Sequence, residues 1–333
     1  MVDLAEQIAQ LNKGKVDKKE IKIVKKDTKK ESIKLLQKPK KQTKKKDISN
    51  TSKIVGHFGM HGTGKTYRSL LYAKNYGKML YITTELKVKT QLEENDNFSD
   101  IKYKLYHHKD VEKKKDIEFD KETNVDIFFI EKINDFYDTD NVASIDYFLK
   151  LNSLLIPKLQ GGYYNVVVID NCSTLKDWGF SKWLDDHKGR ERPDISEWSD
   201  IQILVQKCIL PYINVCIRTD KILILNFGIT GDYISNVEIG TKEDAKPWLL
   251  RFLEYELWLE RDYKIYCLKH PYKPFWEYQD ENEDISILLF SKDFVGKARS
   301  KPYIKFKEEV LMSESWKNQL NKQQDKNIKL KIK

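Results

Sequence analysis

An α/β protein with a mostly parallel, doubly wound sheet is what the sequence predicts, from three observations. A glycine-rich loop, Gly59-Met-His-Gly-Thr-Gly-Lys-Thr66, joins a strand-like run (Lys53 to Phe58) to a helix-like one, where Leu70, Leu71 and Ala73 have helical spacing. Asn165-Val-Val-Val-Ile-Asp170 and Lys221-Ile-Leu-Ile-Leu-Asn226 are apolar runs of the kind found in strands buried on both faces. Helical patterns separate the strand-like runs, and such alternation produces a parallel sheet covered on both sides.

Each further element follows in order. Met79 to Thr83 is a second strand, leading into Thr84-Glu85. Ile101 to Tyr106 and Val125 to Ile130 are strands, separated by the charged, loop-like segment Lys109 to Asn124. Asn141 to Leu159 is helical and stops at Gly161-Gly162. Ser173 to His187 is an aromatic-rich helix. Ser196 to Arg218 is a long helix capped near Asp194 or Ser196, with a kink or break expected at Pro211, which has no N–H to continue the ladder. Tyr255 to Glu260 and Lys264 to Lys269 are late strands, and Phe275 to Gln279 returns on them as a hairpin. No internal repeat is present.

A length of 333 residues holds one large α/β domain or two small ones. Charge is unevenly placed. Residues 1–52 contain 16 Lys, no Arg and 7 acidic residues, so they carry +9, the net charge of the whole chain. The remaining 281 residues are neutral, with 44 charges of each sign; within them residues 313–333 hold six Lys and two acids, leaving 53–312 at −4. The division expected is a disordered Lys-rich arm (1–52), a folded domain (53–312) and a basic C-terminal tail (313–333). A basic arm on a neutral body suits an electrostatic contact with nucleic acid or an acidic partner, and equally suits a solubilising tail. Leu4, Ile8 and Leu11 have helical spacing, either as a docking peptide for a protein partner or by chance. Cys172, Cys208, Cys216 and Cys267 form no C-x-x-C pair and read as buried thiols in a reducing compartment. No apolar run approaches 18 residues, and the N-terminus has lysines where a signal peptide needs an apolar core. A cytoplasmic protein without a membrane partner is expected, in the host cytoplasm if its AT-rich-genome composition reflects a virus.

The loop Gly59 to Thr66 has the phosphate-binding form G-x-x-x-x-G-K-[ST]. Gly59, Gly62 and Gly64 free the backbone of Met60, His61 and Thr63 to turn successive N–H groups toward phosphate oxygens. Lys65 brings a mobile charge to the β- and γ-phosphates, Thr66 offers its hydroxyl to Mg²⁺, and the following helix aims its positive end at the anion. ATP with Mg²⁺ is the expected ligand. Asp170, at the C-terminal end of a buried strand, is placed to hold Mg²⁺. Its successor is Asn171 rather than Glu, so the base that orients the attacking water must come from elsewhere; Glu85, just past the second strand, suits that task. Asn226 either senses the γ-phosphate from its strand end or serves as a turn residue before Phe227-Gly228. Lys269 either reaches a neighbouring subunit's phosphate or is a solvated strand-end lysine.

The succession GMHGTGKT, MLYITTE, NVVVIDNCSTL, KILILNFGIT and YELWLERDYKIYCLK resembles the RecA-like recombinase ATPases, most closely the small phage ATPases grouped with single-strand annealing recombinases, over about residues 53–280. The first and third blocks are specific, the second moderately so, the last two loose. The resemblance implies a RecA-like P-loop NTPase core, with Glu85 polarising the attacking water. It also implies a His or Gln coupling nucleotide to DNA where this chain has Asn226. It further implies a late-strand lysine acting across a subunit interface, a position that Lys269 matches although His270 and Pro271 depart. ATP-dependent binding of single-stranded DNA by ring or filament homo-oligomers, in recombination, annealing or replication, is the function implied. The segment Trp178 to Trp198, with Trp183, His187, Lys188, Arg190 and Arg192, fits a DNA-contacting loop or an aromatic core beside a solvated loop, since Asp185, Asp186, Glu191 and Asp194 offset its charge. Rival readings are a P-loop kinase, which needs a small phosphate acceptor, and a DNA-packaging motor, which favours duplex DNA. A third is a nucleotide-gated adaptor with negligible turnover.

Overall fold

The computed structural model describes residues 53–108, 111, 117–130, 140–272, 275–279, 284–291 and 297–331. The chain divides into units Met1–Lys45 and Lys46–Lys333. The Lys-rich arm, with its Leu4, Ile8 and Leu11 stripe, lies outside the described residues, as does part of the segment Lys109 to Asn124.

Strand β1 (Lys53–Phe58) leads through the glycine loop into helix α1 (Lys65–Tyr76), and β2 (Met79–Thr83) is followed by α2 (Lys87–Glu94). Then come β3 (Tyr103–His107), β4 (Val125–Phe129), α3 (Asp140–Gln160), β5 (Val166–Asp170), α4 (Thr174–Asp186) and α5 (Trp198–Thr219). The second half holds β6 (Ile222–Phe227), β7 (Ile229–Ile234), β8 (Val237–Glu243), α6 (Pro247–Leu250), β9 (Tyr255–Leu259), β10 (Lys264–Lys269) and β11 (Trp276–Gln279). It ends with α7 (Ile285–Leu288), β12 (Arg299–Ser300), α8 (Tyr303–Phe306) and α9 (Glu314–Lys331), which makes the basic C-terminal tail helical.

Ten strands form one sheet in the order β12-β11-β10-β9-β1-β6-β5-β2-β4-β3. Strands from β9 to β3 in that order run parallel, and β10, β11 and β12 add on antiparallel. This is the predicted α/β class. The buried side chains fall into two clusters, one on each face of the sheet. On one face Val55, Tyr81, Val168 and Ile224 meet Leu70 and Leu71 of α1. On the other, Phe58, Val167 and Leu225 meet α3, α4 and α5. All four cysteines are buried and free.

One expectation needs correction, the break at Pro211. Helix α5 runs unbroken through Pro211. The missing N–H leaves the carbonyl of Lys207 without its helical donor, and the Asn152 amide of α3 supplies one, donating to the carbonyls of Lys207 and Cys208 at 3.1 Å each. The same helix is also long and apolar enough to cross a membrane, with a mean hydropathy of 1.3 over 18 residues. Here it is a core helix, with Cys208, Ile209, Tyr212, Ile213 and Cys216 buried against the sheet and its neighbours.

The hairpin β7–β8 stands apart from the main sheet. Its turn residues Ser235 and Asn236 both have positive φ (49° and 64°), which suits a two-residue hairpin loop. Gly240 bridges to Met312, and a β-carbon there would lie 1.8 Å from the Leu311 carbonyl oxygen, so the C-terminal segment clasps the hairpin only because this residue is glycine.

One strand in from the far edge of the sheet, Asp126 of β4 is completely buried. It accepts hydrogen bonds from Thr123 Oγ1 (2.7 Å) and Tyr164 OH (2.9 Å), and Lys78 Nζ stands 3.4 Å away. Removing one partner of such a cluster leaves a buried charge uncompensated. Asp126→Ala is expected to cost about 3–5 kcal/mol in chemical denaturation, and Asp126→Leu combined with Lys78→Met to cost less than half of that.

Candidate functional site

Strand, loop and helix build the site locally. Gly62 and Gly64 have φ of 82° and 83°, a backbone conformation that glycine adopts freely. Gly59 is required for a different reason: a β-carbon there would lie 2.6 Å from Thr63 Oγ1 and 2.7 Å from the carbonyl oxygen of Leu259. Thr63 Oγ1 closes the turn onto the Met60 carbonyl at 3.0 Å. The first turn of α1 carries no acidic residue, so its positive end faces the loop unopposed. Lys65 Nζ donates to the carbonyls of Gly59 and Met60, each at 2.8 Å. Burial lowers the Lys65 ammonium below its ordinary range, while the carboxylates of Asp170 and Glu85 oppose that fall and thus lie within its electrostatic reach.

Sheet register then brings distant residues to the loop. His57, Asn226, Asp170 and Thr83 occupy one rung across β1, β6, β5 and β2. Because side chains alternate along a strand, all four face α1. Thr66 Oγ1 donates to Asp170 Oδ2 at 3.0 Å, and the Tyr81 hydroxyl donates to the same oxygen at 2.6 Å. Burial raises the Tyr81 phenol well above its usual range, and Asp170 adds to the shift, so Tyr81 stays a donor. Two oxygens from separate elements, one of them an anchored carboxylate, form a donor set that fits Mg²⁺.

Asn226 lies inside β6, completely buried, and is not a turn residue. Its Oδ1 accepts from Ser69 Oγ at 3.1 Å and faces His57 Nδ1 at 3.0 Å, which fixes the neutral imidazole with its proton on Nδ1. Its Nδ2 is buried without a partner.

A cavity of about 750 Å³ opens at the edge of this rung, and of the rung's four residues Asp170 lines it while His57, Asn226 and Thr83 do not. The loop, Lys65, Thr66, Glu85 and Asp170 line it, as predicted residues brought together. Four contributors carry no local signature in the sequence. Lys87 pairs with Glu85 at 2.7 Å and touches His61, and Arg261 Nη2 donates to the His61 carbonyl at 3.3 Å. Thr230 and Thr241 enter from the hairpin. The charge of Arg261 beside a strand end was visible, but its nearness depends on β9 pairing with β1, 200 residues away in sequence terms from His61.

Lys269 belongs elsewhere. Strand β10 runs antiparallel to β9, so its last residue is carried away from the loop, to the level of Glu256. The Lys269 ammonium donates to the Leu250 carbonyl at 3.2 Å and stands 3.9 Å from Glu256, outside the cavity. The aromatic-basic segment resolves toward packing: Trp178 and Trp183 are buried, His187 stacks on Trp183 with centroids 4.4 Å apart, and Arg190 covers the same ring. Arg190 is further held by Glu197 at 2.6 Å and Asp194 at 3.1 Å.

Sheet order, glycine loop and paired oxygens together define a P-loop α/β core. No protein-family model matches the chain, and no curated protein does. Among solved structures, a KaiC-like protein of the hyperthermophilic archaeon Pyrococcus horikoshii is similar over 69% of this chain and 86% of its own, with 13% identity and a TM-score of 0.31. At that level of likeness, the fold rests on this chain's own sheet and loop.

Burial holds the His57 imidazole down to about 3; the charge of Arg68 adds to the fall, the Asn226 bond opposes it, and Lys65 adds a smaller share. The unfolded ring protonates near 6.5 while the native ring stays neutral. Its stabilising contribution is therefore complete above 6.5 and is lost as the pH falls toward 3. His57→Gln removes this titration. The stability advantage of wild type over that variant is expected to shrink by about 2 kcal/mol between pH 7 and pH 5, measured by denaturation at each pH.

Proposed function

We propose that the chain is an ATP-hydrolysing RecA-like protein that acts on single-stranded DNA in recombination, annealing or replication, of the kind found among phage annealing-associated ATPases. The observation that carries the ATPase reading is the meeting of Thr66 and Asp170 at 3.0 Å beneath Lys65, with Glu85 on the same cavity.

The loop N–H groups and the α1 terminus bind the phosphates, and Lys65 exchanges the carbonyls of Gly59 and Met60 for β- and γ-phosphate oxygens. Thr66 and Asp170 would hold Mg²⁺, which would supply charge neutralisation to the phosphates. Tyr81 keeps Asp170 oriented. Glu85, released from Lys87, accepts a hydrogen bond from the attacking water and aligns it with the γ-phosphate. Asn226 Nδ2, a donor without a partner next to Asp170, is the group by which the sheet senses the phosphate. In the ring or filament implied by this reading, Lys269 reaches phosphate only in a neighbouring subunit's site. DNA dependence is supported by the order of the motifs.

The deciding experiment compares ATP hydrolysis by protein alone, with single-stranded DNA and with duplex DNA, using Lys65→Ala as the blank. Stimulation by single strands is expected; no stimulation by either DNA removes the DNA part of the reading. Glu85→Gln is expected to lower turnover by ~10²–10⁴-fold. Activity within about threefold of wild type moves the base elsewhere.

A further inference from the structure

A second cavity, of about 240 Å³, opens at the same end of the sheet on the opposite face, between α4, α5 and the foot of the hairpin. It is smaller than the roughly 300–1,000 Å³ that drug-sized ligands occupy, so it suits one ring system and not a whole nucleoside triphosphate. Three aromatic rings line it, Trp198, Phe227 and Trp248, together with three amines, Lys176, Lys242 and Lys246. Lys242 is taken by Asp232 at 2.9 Å, whereas among the described residues no carboxylate pairs with Lys176 or Lys246. Glu243 and Asp244 are also in the lining, so with Lys242 paired to Asp232 the two remaining amines and two carboxylates balance in charge. The Trp248 indole N–H is buried without a partner.

The wall between the two cavities is made of residues adjoining the nucleotide rung. Thr230 lines both cavities. Cys172 N–H donates to the Asn226 carbonyl at 2.8 Å, Gly228 N–H donates to Ser173 Oγ at 3.1 Å, and Ser173 Oγ donates to the Asp244 carbonyl at 3.3 Å. The segments that follow Asp170 and Asn226 are thereby tied to each other and to the end of the hairpin.

We propose that this second cavity takes one unstacked nucleobase, with its phosphate on Lys176 and Lys246, and that its occupancy is transmitted to the phosphate loop through the Gly228–Thr230 wall. Flat apolar faces with amines at hand match a base and its phosphate, the combination by which single strands are held without regard to sequence. The proposal deepens the reading of an ATPase linked to single-stranded DNA and rests on it for the source of the base; a free nucleotide would supply the same chemistry.

The test uses the full chain and an oligothymidine carrying 5-iodouracil for photocrosslinking, with thymidine monophosphate as competitor. Crosslinks are expected in the peptides containing Trp198, Phe227 or Trp248, and are expected to vanish in Gln202→Trp, which fills the cavity. Lys176→Glu with Lys246→Glu is expected to weaken oligonucleotide binding about tenfold or more and to lower its salt slope by about 0.7. Each variant is also tested for a fluorescent ATP analogue, which should bind within about twofold of wild type. Competition by the monophosphate at concentrations near those of the oligonucleotide assigns the cavity to free nucleotide while upholding its base chemistry. Crosslinks that map only elsewhere, or unchanged affinity in variants that still bind the ATP analogue, overturn the proposal. Failure of wild type to bind the analogue, with cavity crosslinks intact, would remove the ATPase reading and leave this site standing.

Discussion

Everything at the nucleotide end depends on the register of four adjacent parallel strands. His57, Asn226, Asp170 and Thr83 lie on one rung, and a slip of one residue in β5 or β6 would turn Asp170 or Asn226 to the opposite face, away from Thr66 and Ser69. The rung cannot supply that register by itself, because buried polar groups are costly until paired. Below it, Val166 and Val168 of β5 and Ile222 and Ile224 of β6 project to the same face and are buried almost completely. Their packing under α1 sets the alignment that the polar rung then uses.

Helix α1 is where packing and chemistry meet. Its first turn presents Lys65 and Thr66 to the cavity; one turn on, Ser69 donates to Asn226 and so locks the helix to the rung. Leu70, Leu71 and Tyr72 then bury its length. A shift of the loop is in this way coupled to a hydrogen-bonded core network, not to a surface contact. The orphaned Asn226 Nδ2 is costly in such a place, on the order of 1–3 kcal/mol for an unmet buried donor.

How far the sequence reached follows from how local each feature is. The glycine loop, its strand and its helix are read within some twenty positions, and the strand ends at Asp170 and Asn226 are marked by the apolar runs before them. Glu85 was placed by its distance past β2. What stayed hidden depends on partners far along the chain. Arg261 reaches the loop only because β9 returns beside β1, and Lys269 leaves it only because β10 runs the other way. Pro211 reads as a break until Asn152 of another helix answers the exposed carbonyls. Trp183, His187 and Arg190 have the composition of a nucleic-acid loop, but ring stacking and two ion pairs use them up internally.

Charge balance explains why the rung contains a histidine that does not ionise. Lys65, Lys87 and Arg261 face Glu85 and Asp170 around the larger cavity, a surplus of one positive charge for a polyanionic substrate. A charged imidazole at His57 would add repulsion against Arg68 and Lys65 inside the core, where it is weakly screened. The neutral ring instead donates to Asn226 and holds that amide's oxygen toward β1 and α1, which leaves its nitrogen without a protein acceptor. The asymmetry of the Asn226 amide, satisfied on one side and open on the other, follows from His57 and Ser69 both directing their hydrogen bonds to its oxygen.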